Sequence, residues 1–174
     1  MEQFTTGIAR EERHRQFKDP ALAFEVFSKK AKNLVDALSE KVSRAEAILE
    51  KARERSESGE IDLASLGAEV ISAKVVVSLT ASLRALYGRA LEANDTYALR
   101  TIAKAAEKLG VEADETLKES VYSKDRTVKK AVIAQNLAMA RKTYDLVVGS
   151  LDNVHSELGI SLPTPADLGM PAAA

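Results

Sequence analysis

Residues 27–52, FSKKAKNLVDALSEKVSRAEAILEKA, decide the fold class. Phe27, Ala31, Leu34, Leu38, Val42, Ala45, Leu49 and Ala52 recur in steps of three and four, which builds one apolar stripe along an α-helix. Asp19-Pro20 predicts where that helix begins, with an acid as N-cap and proline at the first helical position. Ser58-Gly59 predicts where it ends.

The same pattern extends along the chain. Prolines stand only at 20, 163, 165 and 171, so the long middle lacks the strongest helix breaker. A second helix is predicted from near Asp62 to about Asn94, where Asn-Asp-Thr closes one helix and caps the next. At its centre Val75, Val76 and Val77 are consecutive. With Val70, Ile71, Leu79, Leu83, Leu86 and Tyr87 they cover more than one side of the rod. So wide an apolar arc predicts burial on several sides, by the chain's own bundle or by another subunit. The three valines are therefore the candidate self-association residues. Gly67 and Gly88 each cost about 1 kcal/mol relative to alanine inside a helix. Close approach of a neighbouring backbone is the expected reason, although a loose first turn also accounts for Gly67.

A shorter third helix is expected over Thr96 to Leu109, stopped by Gly110-Val111 and continued by a brief helix around Asp114 to Tyr122. The last helix is expected from Arg126 to Leu158. Its stripe is Ile133, Leu137, Ala140, Tyr144, Val147, Leu151, Val154 and Leu158, with Gly159-Ile160 as the stop. These elements predict an all-α, antiparallel four-helix bundle with three long helices and one broken leg. Residues 1–18 form an N-terminal arm, 19–160 the bundle and 161–174 an irregular C-terminal tail. Many alanines on the stripes predict close helix spacing, and 5% aromatic content argues against a large ligand cavity.

Composition narrows the function classes. A net charge of -1, with 29% charged residues, gives no global attraction to nucleic acid or anionic lipid, so any such binding must be local. The absence of cysteine excludes a disulfide framework and thiolate metal sites. The apolar runs read as too short to cross a bilayer, and Met1 to Arg15 has no apolar signal-peptide core. The expectation is a cytoplasmic protein, or a particle assembled in the cytoplasm, without membrane insertion. Four Asn, three Gln and three Met beside abundant Lys, Arg and Glu give the lean of a heat-adapted protein, which Ala-rich helical chains share.

No reaction is legible. Nucleophile elbows, glycine-rich phosphate loops, paired core carboxylates and Cys/His clusters are missing from the sequence. His14 and His155 each follow an acid by three residues, the spacing used in di-iron bundles, but no lone glutamate interrupts the long stripes. Tyr144, Ser150 and Ser156 near His155 are explained by packing and solvation. Neither a catalytic residue nor a cofactor nor a metal site is expected.

Charge along the last helix is the sharpest hint. Lys124, Arg126, Lys129 and Lys130 crowd its beginning, while Asp145, Asp152 and Glu157 lie toward its end. A helix macrodipole prefers the reverse, so this beginning is doubly positive and suits a phosphate or carboxylate. Arg126, Lys129 and Lys130 share one face and are the first candidates for anion contact; Arg10, Arg13 and Arg15 of the arm are the second. Two facts weigh against nucleic acid: no aromatic residues interleave the basic ones, and Glu112, Asp114, Glu115 and Glu119 stand ready to pair with the helix start. The leading expectation is a non-enzymatic structural subunit that associates with copies of itself, a coat or nucleoprotein-type subunit with nucleic acid as a candidate partner. A helical adaptor that docks a protein partner, with the tail from Pro163 as docking segment, is the alternative.

Overall fold

A computed structural model describes residues 17–58, 63–117, 126–151 and 153–171, with backbone alone for 56, 58, 63–66 and 126–129. The elements in chain order are α1 (Pro20–Ser58), α2 (Leu63–Glu92), α3 (Thr96–Thr116), α4 (Arg126–Leu151), the single turn α5 (Val154–Glu157) and a 3-10 turn at Ala166–Leu168. The described residues contain no strand. The chain is an all-α bundle.

Capping fixes the boundaries as the sequence predicts. Asp19 Oδ1 accepts from the Leu22 amide at 3.1 Å, so α1 starts at Pro20. At the other end of the hairpin, Asn94 takes a left-handed φ of 57°. That geometry lets the Asp95 amide donate to the Ala90 carbonyl at 3.0 Å and the Asn94 amide to Leu91 at 3.1 Å. These two bonds make a Schellman stop. Asp95 then accepts from the Ala98 amide through Oδ1 at 3.0 Å and opens α3.

Cross-contacts give the directions. Arg55 meets Glu69 at 3.6 Å, and Arg84 donates to Ser39 at 3.2 Å, so α2 returns antiparallel to α1. Arg100 lies 6.0 Å from the centre of the Phe27 ring while Lys41 and Arg44 reach Asp114, so α3 runs parallel to α1. Helix α4 packs on α2 and α3, as α1 does, and the 3-10 turn also touches α2. Helices α2 and α3 are therefore the inner pair.

That position explains the wide apolar arc of α2. Successive residues in a helix are rotated by about 100°, and Val75 accordingly joins the main core cluster while Val76 joins a smaller one with Ala45, Ala73, Ala113 and Leu117. Both valines are fully buried and Val77 is half-buried against the smaller cluster. Assigning Val75 and Val76 to contacts between copies is corrected here, because the chain's own helices already cover them. The run-length reading of α2 also changes. Gly67–Glu92 is long and apolar enough, by length and composition, to cross a bilayer. Here that stretch is an inner helix.

Two helix ends differ from expectation. The third leg is unbroken: α3 passes through Gly110 and Val111 to Thr116 without stopping at Leu109. A glycine ends a helix by turning left-handed, and Gly110 does not; the only positive-φ glycines among the described residues are Gly159 and Gly169. A side chain at Gly110 would instead meet Leu38 Cδ2 at 3.8 Å, so this glycine lies where α3 passes close to α1. The rest of the brief helix expected up to Tyr122 lies outside the described residues. The last helix is the one that breaks. Asn153, at φ -95° and ψ 5°, departs from α-geometry before one further turn at Val154; Asp152 lies outside the described residues. Asparagine and aspartate hydrogen-bond locally and hold a helix poorly. Gly159, at φ 73°, then provides the predicted stop, with the Ile160 amide donating to His155 at 2.9 Å.

The tail is not a loose appendage. From Ile160 it folds back over the bundle. Leu168 is 3% and Met170 8% exposed, and both belong to the main core cluster. Tyr144 donates its hydroxyl to the Pro163 carbonyl at 2.7 Å.

Candidate anion-binding and self-association surfaces

Helix α4 is described from Arg126 onward, with no acid in its first described turn and no base in its last, so the inverted charge pattern lies on a helix. Helical register sets residues 126, 129 and 130 on one face. Lys130 is exposed. The side chains of Arg126 and Lys129 lie outside the described residues, as do Lys124 and the whole arm with Arg10, Arg13, Arg15 and His14.

Two acids in the last turns of α3 have specific partners. Asp114 bridges α3 to α1: Lys41 Nζ donates to its Oδ1, and Arg44 Nη1 donates to the same oxygen at 2.8 Å. Hydrogen bonds from Lys41 first and Arg44 second hold the Asp114 carboxyl below the usual aspartate range. Glu112 faces Lys142 in the middle of α4 at 3.8 Å. Arg141, the other base further along α4, pairs with Asp145 one turn on at 3.4 Å. Two of the four acids expected to pair with the helix start therefore bond elsewhere. Glu119 lies outside the described residues.

Polar groups inside the bundle are mostly structural. Thr116 donates to the Glu112 carbonyl at 2.9 Å, and its hydroxyl shares a second hydrogen bond with the buried Thr143, which ties α3 to α4. The hydroxyls of Ser72 and Thr80 on α2 are buried without a hydrogen-bond partner. His155 places Nδ1 3.2 Å from the Ile160 carbonyl, so it belongs to the stop after α5. No group of three or more His, Cys, Asp or Glu able to hold a metal occurs among the described residues. Burial pushes the Tyr144 phenol up, as expected for a hydroxyl desolvated beside the core.

Exposed apolar surface is sparse. Leu22 (54%) and Val26 (49%), one turn apart on α1, and Val111 (66%) on α3 are the large apolar side chains open to solvent among the described residues. At the same end of α1, the Phe17 ring packs on Phe27 with centroids 5.9 Å apart. One open depression of about 360 Å³ lies at this end between Pro20, Phe24, Asn94 and Thr96; another of about 350 Å³ runs along the outer side of α3 at Lys104, Lys108 and Val111.

Sequence reading missed the tail's packing. The signal was present as Thr164-x-x-Asp167, a capping-box spacing, followed by Leu168 and Met170. Comparison with family models, curated proteins and solved structures gives no match to this chain.

Proposed function

We propose that this protein is a non-enzymatic structural subunit of the cytoplasm, or of a particle assembled there, that self-associates and meets the phosphates of a polyanion such as nucleic acid. Arg126, Lys129 and Lys130 at the opening of α4 are the first contact residues. Arg10, Arg13 and Arg15 of the arm are the second. A coat or nucleoprotein-type role follows from that pairing of self-association with phosphate contact.

The supporting observation is the engagement of acids on α3. Asp114 is held by Lys41 and Arg44, and Glu112 by Lys142, so neither cancels the charge at the opening of α4. At a helix start, free backbone N–H groups and the dipole attract an anion in the same sense as basic side chains do. With Val75 and Val76 inside the chain, contact between copies falls to other surfaces, among them the Leu22 and Val26 pair.

Charge reversal at the three α4 positions (R126E/K129E/K130E) tests the phosphate reading. The expected result is loss of duplex DNA binding in a salt titration, with the helix signal in circular dichroism unchanged. In the wild type the logarithmic salt slope is about -0.9 per phosphate contact. Binding by the variant with an unaltered slope overturns the assignment. Sedimentation tests self-association, and a chain that stays monomeric at high concentration with and without DNA overturns it.

A further inference from the structure

The segment after Gly159 is built like a bound peptide. Its backbone polar groups are satisfied mainly within itself: the Thr164 amide donates to Asp167 Oδ2 at 2.8 Å, the Asp167 amide to Thr164 Oγ1 at 3.2 Å, and the Met170 amide to the Pro165 carbonyl at 3.0 Å. This local bonding gives the plug its own shape, which lowers the ordering cost of docking. Its hold on the bundle includes Leu168 and Met170 in the core, half-buried Ile160 and Leu162 packed against that core, the Tyr144 hydrogen bond to Pro163, and Gly169 lying against Ile71. Gly159, left-handed at φ 73°, is the hinge between the plug and α5.

We propose that this plug is exchangeable, so that in the self-associated protein the tail of one copy seats in the α2/α4 groove of the next. The inference rests on the self-association reading above. The occupant follows from the groove's present filling. An exchanged tail reproduces every contact of the closed chain, so exchange needs no new complementary surface, and the described residues of the closed chain expose few large apolar side chains. Reach permits it. With the plug from Thr164 kept folded, the four residues 160–163 span up to about 13 Å when extended, and packed helix axes lie only about 8–10 Å apart.

The chain has no cysteine, so engineered thiols report exchange cleanly. One copy carries Ile71→Cys and a differently tagged copy carries Gly169→Cys; the two are mixed at high concentration, diluted and oxidised. The expected product is a disulfide-linked heterodimer. Its absence, with wild-type protein associated under the same conditions, overturns exchange and leaves self-association standing. Because a side chain at Gly169 is strained, the full chain carrying L168D/M170D provides a second measurement, read by light scattering. Loss of the associated species with helix content retained supports exchange, and an undiminished oligomer overturns it. A wild type that never associates overturns both readings.

Discussion

Helix α2 is covered in two different ways. Helices α1 and α3 cover it with long amphipathic stripes, and Val75, Leu79, Leu83 and Leu86 are fully buried in the resulting core. At Ile71 it is covered by an irregular segment anchored by Leu168 and Met170. A helical cover spreads its contacts over many turns, so one of its residues cannot leave without disturbing the rest. The tail is held at a few separate points, by Ile160 and Leu162, by the Pro163 carbonyl and by Leu168 and Met170, with no ladder of helical turns linking them, so its opening is expected to be a local event. Stability in this bundle is unequal by construction.

The largest expected effect falls on the helical cover. Leu83→Ala removes a fully buried side chain from the main cluster. It should destabilise the whole fold by about 2–5 kcal/mol, the range for leucine truncation with a residual cavity. Denaturant unfolding followed by circular dichroism checks this, with a lower midpoint and an unchanged slope expected.

Leu168→Ala truncates a comparably buried leucine on the tail. Its cost should be borne locally, at about 2 kcal/mol, the lower end of the same range. Hydrogen exchange should accelerate over residues 160–171 while the centre of α2 keeps its protection. Equal loss of protection in both segments would show one cooperative unit and break the comparison.

Gly88→Ala carries the opposite sign. A Cβ at Gly88 would meet nothing within 4 Å, and the same holds at Gly67. The close backbone approach expected for these glycines is thus not made by the described residues. Alanine at 88 should stabilise the helix by about 0.5–1 kcal/mol through lower backbone entropy in the unfolded chain. Unfolding of dilute protein measures it. A destabilised variant would show that the open space around Gly88 is filled in solution.

The two covers also differ in how far they could be read from sequence. Helix caps at Asp19 and Asn94-Asp95 were legible because each depends on a residue type acting over three or four positions. Gly110 misled because a glycine near a helix end suits a left-handed stop, and only its backbone conformation, which is not left-handed, shows that the helix continues. The valines misled for a related reason. A wide apolar arc reports the number of neighbours, and the sequence does not say whether they belong to the same chain. At the candidate site, the basic face of α4 was legible from register, but the pairing of Asp114 with Lys41 and Arg44 spans at least 70 positions and has no local signature.

The smallest effect belongs to that ion cluster. Asp114 is 56% exposed at its side chain, so its two partners together are worth about 1 kcal/mol or less in water. Asp114→Asn should lower stability by that amount at neutral pH. The folded carboxyl lies below its unfolded value, so its contribution is present above the unfolded aspartate pKa of about 3.9 and is lost as pH falls through the folded value. Wild type and variant should therefore differ at neutral pH and converge in acid, and the gap should also shrink in about 1 M salt, where screening acts within about 3 Å. A gap that persists undiminished in acid would mean that the substituted amide perturbs packing between α1 and α3, and the cluster would then be a by-product of helix contact and not a clamp on it.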